Sequence, residues 1–144
     1  MPDWEQSGTH RFAEQDDVLL WELRGPVLLP DVLDLAQRNV RIRGQYGYVL
    51  ILIDGTAAGT MVPEARRRLI EIRRADPDAL TRSAVYGVGP LSRALAMMVS
   101  RAMQLVVKYE ISIHLCSSES EARTWLDGER SVLQELAKAQ PGRR

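Results

Sequence analysis

Six consecutive apolar residues, Tyr48-Val49-Leu50-Ile51-Leu52-Ile53, constrain this chain more than any other feature. The run is β-branched and aliphatic, too short for a buried helix, and shows no polar alternation, so it reads as a central strand covered on both faces. Helices are therefore expected on both sides of a sheet. A chain of 144 residues, 45% hydrophobic and 26% charged, has room for one such core and apolar surface enough to offset the entropy of ordering it.

The rest of the chain is organised around that strand. Residues 1–8 are polar and read as a tail, followed by a short strand over Thr9–Glu14 and a second over Val18–Arg24 that Gly25-Pro26 ends. From Pro30, apolar residues at Val32, Leu33, Leu35, Ala36, Val40 and Ile42 recur at helical spacing, with Asp31 and Asp34 at the positive end of the dipole and Gly44 and Gly47 at its close. After the central strand, Asp54-Gly55-Thr56-Ala57-Ala58-Gly59-Thr60 reads as a tight loop, with Thr60 helping to cap a helix over Pro63–Ala75. Pro77 blocks its continuation, and Ser83–Val88 reads as the next buried strand.

Gly89-Pro90 opens a long helix with an apolar face of Leu91, Ala94, Leu95, Met98, Ala102, Leu105 and Val106. Glu110–Cys116 alternates as a strand near a sheet edge, with Ser112, His114 and Cys116 on its less apolar side. Ser118 and Glu121 have capping-box spacing before a short helix through Ala122, Trp125 and Leu126, and one last amphipathic stretch, Val132-Leu133-Leu136, precedes the end. The order is β-β-α-β-α-β-α-β-α, whose alternation calls for parallel strands joined by right-handed crossovers. One domain over residues 9–138 is expected, with a C-terminal tail over residues 139–144.

Charge and cysteine usage narrow the function classes. Lys and Arg together number 19, as do Asp and Glu, so no net field attracts nucleic acid or an anionic membrane. Cys116 is the only cysteine, which excludes an internal disulfide and fits a reducing cytoplasm. Met1–Phe12 carries Asp3, Glu5 and His10 without an apolar core and is not expected to act as a secretory signal. No apolar run approaches the roughly 20 residues that span a bilayer.

Several segments together resemble the SpoIIAA-like branch of the STAS superfamily. They are Leu20-Trp21-Glu22-Leu23-Arg24-Gly25, Val49–Asp54 with its small-residue sequel, Pro63-Glu64-Ala65-Arg66-Arg67, and the closing Ser120-Glu121-Ala122-Arg123-Thr124-Trp125-Leu126. The resemblance covers roughly residues 9–127. It implies an α/β, single-domain STAS-like fold: a central, mostly parallel sheet with an antiparallel N-terminal hairpin and helices on both faces. It also implies a non-catalytic regulatory module with a protein partner, as in anti-sigma factor antagonists, where a Ser or Thr before the second helix is phosphorylated. The matching candidates are Thr60 and Thr56, although Thr60 follows Gly59 rather than the family's Asp. The family's likeness to lipid-binding folds keeps an apolar ligand, held between the sheet and the 91–107 helix, as the alternative.

Weighed as chemistry, the segment Asp54–Thr60 is the first place for a site, because it follows a parallel strand and precedes a helix. Asp54, Gly55 and Gly59 form neither a dinucleotide fingerprint nor a P-loop. Arg66, Arg67, Arg73 and Arg74 give the second helix a basic face for a partner, but no aromatic residues interleave for nucleic acid. His114 and Cys116 share a strand face, yet a catalytic pair needs an orienting acid and a zinc site further ligands. No cofactor, catalytic residue or metal is expected from the sequence. A sheet edge or the methionines Met97, Met98 and Met103 could support a homodimer.

Overall fold

The central strand alternates between two cores. Val49 and Ile51 face one helical layer and Leu50 and Leu52 the other, all four buried. The absence of polar alternation in this run thus has a direct cause: over Val49–Leu52 neither face of the strand meets water.

The computed structural model describes residues 2–89 and 113–140. Within them the strands are β1 (Glu5–Ser7), β2 (His10–Gln15), β3 (Val18–Val27), β4 (Val49–Met61), β5 (Thr81–Tyr86) and β6 (Ile113–Leu115). The helices are α1 (Leu29–Tyr46), α2 (Pro63–Ala75) and α3 (Glu119–Lys138). Among the described residues the strands form one mixed sheet in the order β1-β2-β3-β4-β5-β6. The β1-β2-β3 pairings are antiparallel and the β3-β4-β5-β6 pairings parallel.

Phe12, Leu19, Trp21, Val49 and Ile51 pack with Val32, Leu35 and Ile42 of α1 and Ala65 of α2. On the opposite face Leu20, Leu50, Leu52, Ala84 and Cys116 pack with Ala122, Leu126 and Leu133 of α3. Helices do cover both faces, and the antiparallel hairpin and parallel half stand as expected. The long helix expected from Gly89-Pro90 onward, and the first part of the strand expected over Glu110–Cys116, fall outside the described residues.

Four local expectations are corrected. Residues 5–7, read as part of a tail, form β1, anchored by polar contacts that no apolar pattern announces: Arg38 of α1 pairs with Glu5 at 3.2 Å, and the Ser7 hydroxyl donates to Asp34. Gly25-Pro26 does not end β3, which runs to Val27. The segment 54–60 is not a loop but the second half of β4, which continues its parallel pairing with β3 through Arg24↔Ala57, Gly25↔Ala58 and Val27↔Met61, with register shifts between Glu22 and Arg24 and between Gly25 and Val27. Its small residues serve close backbone approach rather than a turn: a Cβ on Gly59 would lie 2.7 Å from the Gly25 carbonyl carbon and the Pro26 nitrogen. Finally, the two short C-terminal helical segments are one continuous helix, with Gly128 inside it.

The helix termini follow the sequence more closely. Gly47 closes α1 in the left-handed region at φ 87°, its N–H bonded to the Arg43 carbonyl. Asp31 accepts a hydrogen bond from the Leu28 N–H at 2.8 Å, satisfying a donor at the entry to α1. The α2 bounds, Pro63–Ala75, are as expected, but its N-cap is Val62 without a side-chain cap, so Thr60 does not serve that role.

Candidate functional site

The parallel strands β4, β5 and β6 end side by side, and α3 begins beside them. In open α/β sheets this carboxyl edge is where ligands and partners meet the fold. Asp54 pairs in register with Tyr86, and Val85 with Leu115, so the Cys116 N–H continues the ladder by donating to the Val85 carbonyl at 2.8 Å. Asp54, Tyr86 and Cys116 therefore form one row across three strands, on the face that carries Leu52 and Ala84 toward α3.

The row is bounded by the first turns of α3. The Tyr86 hydroxyl donates to Glu119 at 3.0 Å, and Arg123 pairs with the same carboxylate at 3.0 Å. Burial, with the Glu119 bond and the nearby Asp54 charge, pushes the Tyr86 phenol well above its usual range. It stays a neutral hydrogen-bond donor throughout the physiological range. The Arg123 and Tyr86 donors hold Glu119 below the usual carboxylate value. The Ser118 hydroxyl accepts from the Glu121 N–H, the cap expected from the sequence. The returning Glu121 carboxylate is taken by Ser117 instead of Ser118, through its N–H at 2.9 Å and its hydroxyl.

Asp54, Gly55, Thr56, Gly59 and Thr60 all lie on β4, from the last β4–β5 register pair at Asp54 onward. Gly55 is buried against Val88 and Tyr86, whereas residues 56–60 are exposed. Thr56 folds back on Asp54, whose carboxylate accepts from the Thr56 hydroxyl at 2.6 Å and its N–H at 3.0 Å. On α2, Arg66, Arg67 and Arg74 are exposed. Arg73 is turned inward: it donates to the Ala79 carbonyl at 3.1 Å, and burial lowers its pKa. Arg68 pairs along the helix with Glu71 at 3.2 Å.

The apolar ligand site was expected against the 91–107 helix, which lies outside the described residues. A cleft of about 450 Å³ lies between the end of α1 and α3, lined by Gln45, Tyr46, Tyr48, Gln134, Ala137 and Lys138. That lining mixes the Tyr46 and Tyr48 rings and Ala137 with the amides of Gln45 and Gln134 and the Lys138 ammonium. No described helix is long and apolar enough to cross a membrane.

Sequence reasoning missed two features. His10, placed near a ragged start, is wholly buried. Its Nδ1 accepts from the Arg24 N–H at 2.8 Å, which puts the proton on Nε2, 3.1 Å from both Asp31 and the Pro26 carbonyl. The partners lie 14 to 21 residues away, so no local pattern could reveal them. The second is Glu121 as a neighbour of His114 and Cys116: donor atoms of all three lie within 4.8 Å of one another. The sequence drew attention to Glu121 through the capping-box spacing and the closing segment of the resemblance, neither of which points to a ligand.

A protein from Shewanella loihica PV-4, an uncharacterised member of the DUF3478 family with a SpoIIAA-like fold, is similar to this chain over 88% of its length and 92% of its own. The TM-score is 0.56 and the identity 15%. The fold is SpoIIAA-like. The anti-sigma factor antagonist SpoIIAA in its unphosphorylated form aligns with 89% of this SpoIIAA-like chain and 99% of its own, at 12% identity and a TM-score of 0.48. No family model matches the sequence, and no curated protein does.

Proposed function

We propose that this chain is a non-catalytic, cytoplasmic regulatory module that binds a protein partner through the outer half of β4 and the exposed basic face of α2. The observation that carries the reading is the run of exposed small residues 56–60, paired with β3 and leading into α2 with Arg66 and Arg67 exposed. Backbone with small side chains gives a partner close access, and the arginines give bidentate donors for its carboxylates. The resemblance of the surrounding segments to anti-sigma factor antagonists points the same way.

Thr60 is the better phosphoacceptor of the two threonines in this surface. The Thr56 hydroxyl is bound to the Asp54 carboxylate, so a phosphate there would lie against a like charge. Thr60 is exposed, two residues before the N-cap of α2. A dianion there would alter the charge of the proposed interface and release or exchange the partner.

The test is recovery of the tagged full chain from its host, with native mass spectrometry of wild type and R66E/R67E. The account expects a stoichiometric protein complex with wild type and at least a tenfold loss in the charge-reversed variant. Retention of the same complex by that variant contradicts the assigned surface.

A further inference from the structure

We propose that His114, Cys116 and Glu121 form a binding site for one divalent transition-metal ion of the zinc class, with a fourth coordination position left open. One imidazole nitrogen, one thiol sulfur and one carboxylate oxygen lie within 4.8 Å of one another. Donors sharing a zinc ion at about 2.0–2.3 Å sit roughly 3.3–3.8 Å apart in tetrahedral geometry. The three therefore need to close by about 1 Å, within reach of side-chain rotation.

Their placement is a property of the fold. His114 lies in β6 and Cys116 one residue beyond it, where its N–H continues the ladder to the Val85 carbonyl, so the two project on the same face. Glu121 lies in the first turn of α3, whose start is fixed by the Ser118 cap. All three come from a single βα connection at the carboxyl edge of the sheet. His114 and Glu121 are also each oriented by a neighbour, as metal ligands commonly are. The His114 ring stacks on Trp125, with centroids 4.5 Å apart and planes 8° from parallel. Ser117 holds Oε2 of Glu121 through two hydrogen bonds. A carboxylate has about four lone-pair sites on its two oxygens, so this cap and a metal bond are compatible.

The donor set selects the ion. Thiolate disfavours magnesium and calcium, whereas mixed sulfur, nitrogen and oxygen donors suit zinc and its neighbours. Binding drives the Cys116 thiol proton to solvent, so affinity rises with pH. Three protein ligands leave a position for water or for a donor from a partner.

Cobalt(II) titration of the chelator-stripped, reduced full chain tests the site, because a thiolate on cobalt gives a charge-transfer band. A band saturating at one equivalent and displaced by zinc is expected. In H114A and E121Q, each with unchanged circular dichroism, affinity should fall about tenfold or more. Both substitutions avoid the buried cysteine, so loss of binding is separable from loss of folding. Absence of the band, or equal affinity in either variant, overturns the proposal.

Discussion

Asp17 lies in the turn between β2 and β3, and groups from two distant elements converge on its carboxylate. Tyr48 donates to it at 2.6 Å, and Arg130 of α3 grips both oxygens, at 2.7 and 3.1 Å. Burial alone would raise its pKa, but the Arg130 and Tyr48 hydrogen bonds outweigh that and hold it below the usual carboxylate value. A carboxylate lowered in the folded state contributes stability that is full above its unfolded value, about 3.9, and is lost as pH falls through the folded value. Asp17→Asn should therefore cost about 2–3 kcal/mol at pH 7, the size of a buried hydrogen bond to a charge. Urea denaturation at pH 7 and pH 3 measures this. The gap between wild type and variant should shrink in acid, and a gap independent of pH contradicts the assignment.

At the scale of elements, β4 shows how much was legible and why the rest was not. Val49–Ile53 declared itself because burial on both faces leaves a continuous apolar signature. The second half of the same strand has no such signature. Glycine, alanine and threonine suit tight turns, but also suit strands whose backbones pass unusually close, and only the β3 partner decides between the two. The described helices were readable from periodicity and termini, yet the two C-terminal segments read as separate are one continuous α3. Gly59→Val tests the close approach. A side chain at 2.7 Å from β3 backbone must push the strands apart, at a cost of about 1–3 kcal/mol, with faster amide exchange at Val62, whose N–H bonds the Val27 carbonyl. Unchanged denaturation and exchange would contradict the observed packing.

For the whole molecule, the two helical layers leave the carboxyl edge of the parallel strands as the place where distant parts of the sequence meet. Asp54, Tyr86, Cys116 and Glu119 converge there from three strands and a helix. The parallel half of the sheet was readable because βα alternation has few solutions. The site was only partly readable: the segment 54–60 and Arg66, Arg67 and Arg74 were identified as surface candidates, but the inward turn of Arg73 and the approach of Glu121 to His114 and Cys116 depend on tertiary placement. The central claim is that the outer half of β4 contacts a protein partner. It is tested most directly by placing a photo-crosslinking amino acid at position 60, with a control at exposed position 33 on α1, and irradiating cells of the host. The account predicts one dominant protein adduct at position 60, absent at position 33 and lost on R66E/R67E reversal. No adduct at 60, or the same adduct from both positions, would contradict it.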